Sequence, residues 1–288
     1  MTLLWRQLRD ESIARLAAAG IEDPRQELRW ITERASGRTG AEQVGALDEP
    51  ATAREVSMVD QMVARRAAGE PLQYVLGRWG FRTLDMLVDG RVLIPRPETE
   101  VVAGLAISAL ADRSGPALAV DLGTGSGAIA LSLAAEVPAL EVWGTDVSAD
   151  ALAVARANLA GLGTKVAPRV RLVEGSWFDA LPADLVGAVD LIVSNPPYVA
   201  EGEDLPDEVA AWEPTGALFA GPTGLECMAE IVHGAPAWLS DAGALVLEIA
   251  PHQAGPVSDL CHDAGFADIV IHADLAGRDS VVRASCRG

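Results

Sequence analysis

The stretch "DLIVSNPPYVA", residues 190 to 200, ends an apolar run with Asn195-Pro196-Pro197-Tyr198. Two consecutive prolines remove two backbone N–H donors and fix two φ angles. Asn195 precedes a proline, so it is pushed out of the helical region. The result is a stiff, extended corner with free carbonyls and an amide side chain at its head. A planar –NH2 group is the acceptor this corner suits. The Asn195 side-chain oxygen can accept one N–H and the Pro196 carbonyl the other. That grip fixes the nitrogen and aims its lone pair, while Tyr198 can pack on the flat face of the same group. A delocalised nitrogen is a weak nucleophile. Catalysis would then come from orientation, and from acceptors that strengthen as positive charge develops on nitrogen. Taken alone, a Pro-Pro corner is also read as a plain rigid loop.

A second stretch, "VDLGTGSGAIA", sets Gly123, Gly125 and Gly127 after a strand and before a helix. Glycines allow the tight turn and let a ligand approach the backbone near a helix N-terminus. The spacing formally fits G-x-G-x-x-A, which keeps an NAD site open. Asp121 ends the strand two residues before the first glycine, and Asp146 ends the next strand in "WGTDVS". A carboxylate at Asp146 can accept both ribose hydroxyls of NAD or of S-adenosylmethionine. Asp121 separates the two. It is poorly matched to a pyrophosphate and well matched to the cationic amino and sulfonium end of S-adenosylmethionine. Solvated strand ends are the bland alternative for both aspartates.

These residues need elements to hold them. Thr2 can cap a helical segment running to Gly20. In "DPRQELRWITERASG", Asp23 caps, Pro24 starts, Gln26 completes a capping box and Gly37 stops a second helix, with Leu28, Ile31 and Ala35 on one face. "ATAREVSMVDQMVARRAAG" is a third helix, striped by Val56, Val59 and Val63. After Pro71 a strand-like run, an Asp89-Gly90 turn and a second short run predict a hairpin. From about residue 98 strands and helices alternate, which predicts a mostly parallel sheet covered on both faces. Ligands sit at the carboxyl ends of such strands. The corner follows the fourth strand, expected beside the first, and so falls next to the glycine loop. The end of the chain, "ADIVIHADLAGRDSVVRAS", reads as a closing antiparallel pair.

Composition bounds the partners. A net charge of −19 over 288 residues is unfavourable for a chain whose main partner is naked nucleic acid. No apolar run reaches the roughly 18 to 20 residues of a membrane span, and the N-terminus lacks the pattern of a signal peptide. Cys227, Cys261 and Cys286 are far apart, and no pair of His233, His252, His262 and His272 has metal-ligand spacing. A reduced, cytoplasmic protein with no metal is expected.

With both motifs placed, the chain resembles the release-factor glutamine N5-methyltransferases, often called the HemK or PrmC family. The resemblance is carried by "GEPLQYVLGRWGF", "VLIPRPETE", "DLGTGSGAIALSLA", "GTDVSADALAVARAN", "EGSWFDAL", "LIVSNPPYVA" and "WEPTGALFAGPTGLE", in that order. It implies an α/β fold: a Rossmann-type S-adenosylmethionine-dependent methyltransferase sheet with a small N-terminal helical domain, joined by a β-hairpin. The expected boundaries are 1–72 for a helical bundle that recognises a release factor, 73–96 for the hairpin and 97–288 for the methyltransferase domain. The implied acceptor is the glutamine amide of the Gly-Gly-Gln motif in class-1 peptide-chain release factors, with S-adenosyl-L-homocysteine as the other product.

Carried over by resemblance, Gly123, Thr124, Gly125, Ser126 and Gly127 hold the methionine part of the donor, Asp146 its ribose, and Trp177 lines the adenine side. Asn195 stands near both methyl group and acceptor, and Pro196, Pro197 and Tyr198 complete the substrate site. Arg96, Pro97, Glu98 and Thr99 of "IPRPETE" shape the acceptor pocket. One departure is Ser176, where many Rossmann methyltransferases carry an acidic adenine contact. A monomer without direct nucleic-acid binding is expected. The competing enzyme reading is an adenine-N6 methyltransferase of DNA or RNA, which poses the same chemical problem but needs a basic groove and an extruded base. A non-catalytic module that binds the donor or a release factor is the third reading.

Overall fold

The computed structural model describes residues 3–111, 113 and 115–286. The chain forms two compact units. One holds the described residues up to Arg78 together with Asp207–Trp212, and the other holds Trp79–Pro206 and the described residues from Glu213 onward.

Five helices open the first unit among its described residues: α1 (Trp5–Ala18), α2 (Pro24–Ser36), α3 (Gly40–Gly45), α4 (Ala53–Ala67) and α5 (Leu72–Leu76). The sequence predicts three, and the short α3 and α5 carry too few turns to show a period. Thr2, the expected first cap, lies outside the described residues. Leu4 holds the N-cap position of α1, its N–H donating to Gln7 Oε1 at 3.1 Å. Asp23 caps α2 through Gln26 N at 3.1 Å, with Pro24 in the first turn and Gly37 left-handed at φ 73°. Gln26 does not return the bond, so half of the expected capping box forms. The full box occurs at α4, where Thr52 Oγ1 accepts from Glu55 N at 3.2 Å and Glu55 Oε2 accepts from Thr52 N at 2.8 Å. Leu28, Ile31, Val59 and Val63 are buried, while Ala35 and Val56 are half-buried.

A two-stranded hairpin follows, β1 (Arg78–Phe81) and β2 (Leu84–Leu87), which lies in the second unit from Trp79 onward. Its turn is at Arg82 and Thr83, not at the expected Asp89-Gly90. Arg82 takes φ 52° and pays for that with a fork on Glu136, Nε to Oε1 at 2.6 Å and Nη2 to Oε2 at 2.7 Å. Asp89 does form a turn, accepting from Val92 N at 3.1 Å, but no strand follows. Pro95 and Pro97 remove the donors that a ladder would need. The chain stays extended until α6 (Pro97–Ala109).

Then come β3 (Ala117–Leu122), α7 (Ala128–Glu136), β4 (Leu140–Asp146), α8 (Ala149–Gly161), β5 (Val170–Glu174), β6 (Val189–Ser194) and β7 (Val199–Ala200). α9 (Asp207–Trp212) belongs to the first unit. The chain ends with β8 (Phe219–Gly221), α10 (Glu226–Trp238), β9 (Leu239–Glu248), α11 (Ala254–Asp263), β10 (Asp268–Ala273) and β11 (Asp279–Ser285). Among the described residues the main sheet has seven strands in the order β10-β11-β9-β6-β3-β4-β5, and β7 pairs separately with β8. β11 runs antiparallel to both its neighbours, while β9, β6, β3, β4 and β5 are parallel. β3 pairs with β4 on one side and with β6 on the other, which makes the β3–β6 boundary the switch point where such sheets open a crevice. Val120, Leu122, Ile192, Leu245 and Leu247 of the sheet bury one face against Met228, Ile231 and Val232 of α10 and Val257 of α11.

Candidate active site

The turn after β3 is built by glycines at φ 71°, 57° and 84°, positions 123, 125 and 127, where side chains would be strained. Thr124 N donates to Thr145 O of β4 at 2.9 Å, folding the turn onto the neighbouring strand. Asp146 joins loop and strand. Its Oδ2 accepts from Gly125 N at 2.8 Å and its Oδ1 from Ser148 N at 2.9 Å, and burial raises its carboxyl above the ordinary range.

Asp121 is buried more deeply. Its Oδ2 accepts from Thr124 Oγ1 at 2.7 Å and from Ala130 N at 3.0 Å. Its Oδ1 is buried with no partner among the described residues. Burial, with a smaller push from Asp146, raises this carboxyl to about 7. Trp177 holds φ 39° and lies over the turn, its Cζ3 3.3 Å from where a Cβ on Gly123 would stand. From behind, Asn158 of α8 donates to Ser126 O at 2.9 Å and to Leu87 O at 3.1 Å, tying β2 to the glycine turn.

β6 delivers the corner. Ser194 Oγ donates to Leu122 O at 2.6 Å, so the carboxyl ends of β6 and β3 are fastened together immediately before Asn195. Asn195 Nδ2 donates to Thr99 Oγ1 at 3.2 Å, and Asn195 Oδ1 is buried without a partner among the described residues. The Pro196 carbonyl lies beyond the last β6–β9 pair, Ser194 with Leu247, and accepts no bond among the described residues. Gln253, buried ahead of α11, donates through Nε2 to Tyr198 O at 2.9 Å and to Gly224 O at 3.1 Å. Burial, reinforced by Glu248, pushes the Tyr198 hydroxyl up to about 12, so it stays protonated at neutral pH.

One cavity of about 450 Å3 spans the glycine turn and the head of the corner. From the donor set it is lined by Asp121, Gly123, Thr124, Gly125, Ser126, Asp146 and Trp177, and from the acceptor set by Thr99, Asn195 and Pro197. The other expected residues stand outside that lining. Gly127 is the N-cap of α7, Pro196 is buried, and Tyr198 packs against the core behind the corner. Arg96 is engaged in an ion pair with Glu213, and Glu98 pairs with Arg278 at 2.8 Å. Several supports stand outside the expected site residues. Glu213 is buried and also accepts from Ile94 N at 3.2 Å, which turns it into a clamp on the Pro95–Pro97 segment. Its signal was an acid before Pro214 downstream of the corner. Glu248, Gln253 and Asn158 carried no spacing signal.

The strand order and the acid-ended glycine turn are those of a Rossmann-type methyltransferase. A "Methyltransferase small domain" family model matches residues 103–211, and a "PrmC N-terminal domain" model matches 7–77. The release factor glutamine methyltransferase of Bordetella pertussis is 41% identical over 259 residues, covering 90% of this chain and 93% of that one. Its counterpart from Cereibacter sphaeroides is 41% identical over 278 residues, 95% of each chain. The chain belongs to the release factor glutamine methyltransferase family. A solved methyltransferase from Pyrococcus furiosus shares the fold, with a TM-score of 0.51 at 17% identity over 78% of this chain and 98% of that one.

Proposed function

We propose that this protein transfers the methyl group of S-adenosyl-L-methionine to the side-chain amide nitrogen of the glutamine in the Gly-Gly-Gln motif of class-1 peptide-chain release factors. The observation that carries this reading is one cavity lined by both Asp121 of the glycine-turn half and Asn195 of the corner, each of which keeps one buried side-chain oxygen, Oδ1, without a partner among the described residues. An orphaned carboxylate oxygen fits a ligand that brings an ammonium group, and Asp146 at the end of β4 fits a ribose. Asp121, a buried acid beside the turn, disfavours a pyrophosphate there. Bound there, S-adenosyl-L-methionine supplies an electrophilic methyl carbon on a sulfonium.

The chain's own residues then do three things. Asp121, Asp146 and the turn amides fix the donor's polar ends. Asn195 Oδ1 and the Pro196 carbonyl each accept one N–H of the acceptor amide and hold its nitrogen in line. As charge develops on that nitrogen both bonds strengthen, and the surplus proton leaves towards these oxygens or to water. The name shared by the relatives supports a release factor as the protein that brings the amide, and the helical unit is assigned to its docking. The same reading makes the protein a cytoplasmic monomer that works without direct contact to nucleic acid, in keeping with its net charge of −19.

The test combines labelled S-adenosyl-L-methionine, this protein and a purified class-1 release factor, with a Gly-Gly-Ala version as control. One methyl on the glutamine amide, absent from the control, is expected by mass spectrometry. Label entering adenine of DNA or RNA instead would overturn the acceptor assignment. Asn195→Ala is expected to lose about 100-fold or more in kcat while keeping donor affinity within a few-fold, as for removal of one transition-state partner; unchanged turnover would refute its role.

A further inference from the structure

Glu248 ends β9, one residue past Leu247, which pairs with Ser194 of β6. On its other side Glu248 pairs with Val281 of β11. It therefore stands beside Asn195 at the carboxyl edge of the sheet, with 3% of its surface exposed. It does not line the donor cavity. Burying a carboxylate without a compensating partner is costly, so a group kept there calls for a reason.

We infer that Glu248 is a positioning residue for methyl transfer: it sets the hydrogen-bond polarity of Thr99, and through Thr99 the orientation of the Asn195 amide. This rests on the proposed acceptor role of Asn195. The Thr99 hydroxyl accepts from Asn195 Nδ2 at 3.2 Å, which leaves it one proton to give. The carboxyl beside it, flanked by both Thr99 and Asn195, is that of Glu248. Ionised, Glu248 only accepts, so the Thr99 proton points to it. Thr99 then offers a lone pair to Asn195, and Asn195 turns Nδ2 to Thr99, which leaves Oδ1 without a partner among the described residues. With the amide ends exchanged, an –NH2 would face the –NH2 of the acceptor, donor against donor. A protonated Glu248 donates to Thr99 instead, which frees the Thr99 proton for Asn195 Oδ1 and stabilises the exchanged amide.

A second observation points the same way. Asn195 Oδ1 and Glu248 Oε2 are both buried acceptors without a partner among the described residues. The cluster has acceptor capacity to spare, which is what an incoming amide –NH2 satisfies. The charged and titratable groups facing Glu248 are Arg96 and Glu98 at the head of α6 and Tyr198 of the corner. Burial outweighs them and lifts its carboxyl to about 7. Turnover is expected to fall as pH drops through that region and Glu248 takes up its proton.

The test compares wild type, Glu248→Gln, Thr99→Val, Thr99→Ser and the Glu248→Gln/Thr99→Val double variant on a release factor at saturating donor, where kcat does not report Asp121. Glu248→Gln and Thr99→Val are each expected to lower kcat about 10- to 100-fold, a range common for groups that orient a functional side chain. Donor Kd should hold within about twofold in both. The double variant should be no worse than the singles, Thr99→Ser should recover most of the activity, and the acidic limb of the wild-type kcat profile should be absent from Glu248→Gln. An unchanged kcat in Glu248→Gln overturns the inference. So does a loss that keeps the acidic limb, or one that adds to that of Thr99→Val, since either marks packing alone. A wild type that binds donor but leaves the release factor unmethylated overturns both readings at once.

Discussion

At the scale of single residues, two buried acids with raised carboxyls divide the site, and Asp121 yields the cleaner prediction. Its carboxyl sits at about 7, against an ordinary value of about 3.9. Between those values the folded protein holds a proton that the unfolded chain has lost. Without donor, Asp121 therefore makes stability fall as pH rises from about 4 to about 7. A donor ammonium favours the ionised form, so binding should expel a proton below about pH 7 and affinity should climb with pH before levelling. Titration calorimetry in two buffers of different ionisation enthalpy reads that proton directly. Asp121→Asn should flatten the pH dependence and weaken donor binding by about 2 kcal/mol, some 30-fold; an equally steep profile in the variant would rule Asp121 out. The corner, the glycine turn and both aspartates were legible in the sequence because each is a local pattern after a strand. Glu248 was not, because an acid closing an apolar strand gains meaning only from the β9–β6 register that sets it beside Asn195.

At the scale of elements, the Asn195–Tyr198 corner is pinned by its neighbours more than by its own prolines. Gln253 holds Tyr198 O and Gly224 O on one amide, and Gly224 sits at φ +78° with a Cβ position 2.6 Å from Tyr198 O. Gln253→Leu leaves buried carbonyls unpaired and should cost about 1–3 kcal/mol. Gly224→Ala adds a left-handed side chain, worth about 1–2 kcal/mol before the clash is counted. Urea unfolding checks both, and turnover with unchanged donor affinity would separate a shifted corner from a damaged sheet. Equal losses in donor binding and turnover would mean the corner is not held this way. The alternation of strand and helix was readable from about residue 98, with "ALAVDLG" as its first strand. α6 was not, since Val101, Val102, Ala103, Leu105 and Ala106 show no single apolar stripe, although Pro97 with Glu98 and Glu100 in its first turn marked its start. The hairpin turn was misplaced because Asp89-Gly90 has the better turn chemistry, while Arg82 is held by Glu136, 54 residues away.

At the scale of the whole molecule, the first unit is closed by ion pairs of unequal depth. Arg66 of α4 is buried and grips Glu27 of α2 at 2.6 Å, with Glu208 of α9 at 3.4 Å on its outer side. Glu208 keeps 45% of its side chain exposed against 17% for Glu27. Glu27→Gln removes the charge on the buried side of Arg66, leaving it the outer Glu208 and the Glu70 carbonyl, and should cost about 2 kcal/mol, whereas Glu208→Ala should cost less than about 1 kcal/mol. Hydrogen exchange of first-unit amides would show the difference, and a neutral Glu27→Gln would mean the latch carries no weight. Because α9 lies within the first unit yet 128 residues of chain separate Arg78 from Asp207, that unit is written in two places in the gene. A chimera that takes a relative's first unit by a single splice after residue 78 would leave the host's α9 against a foreign α4, with Glu208 and Trp212 set against residues they did not evolve with. Trading the first unit within this family therefore takes two coordinated exchanges, and random recombination at one crossover would rarely deliver both.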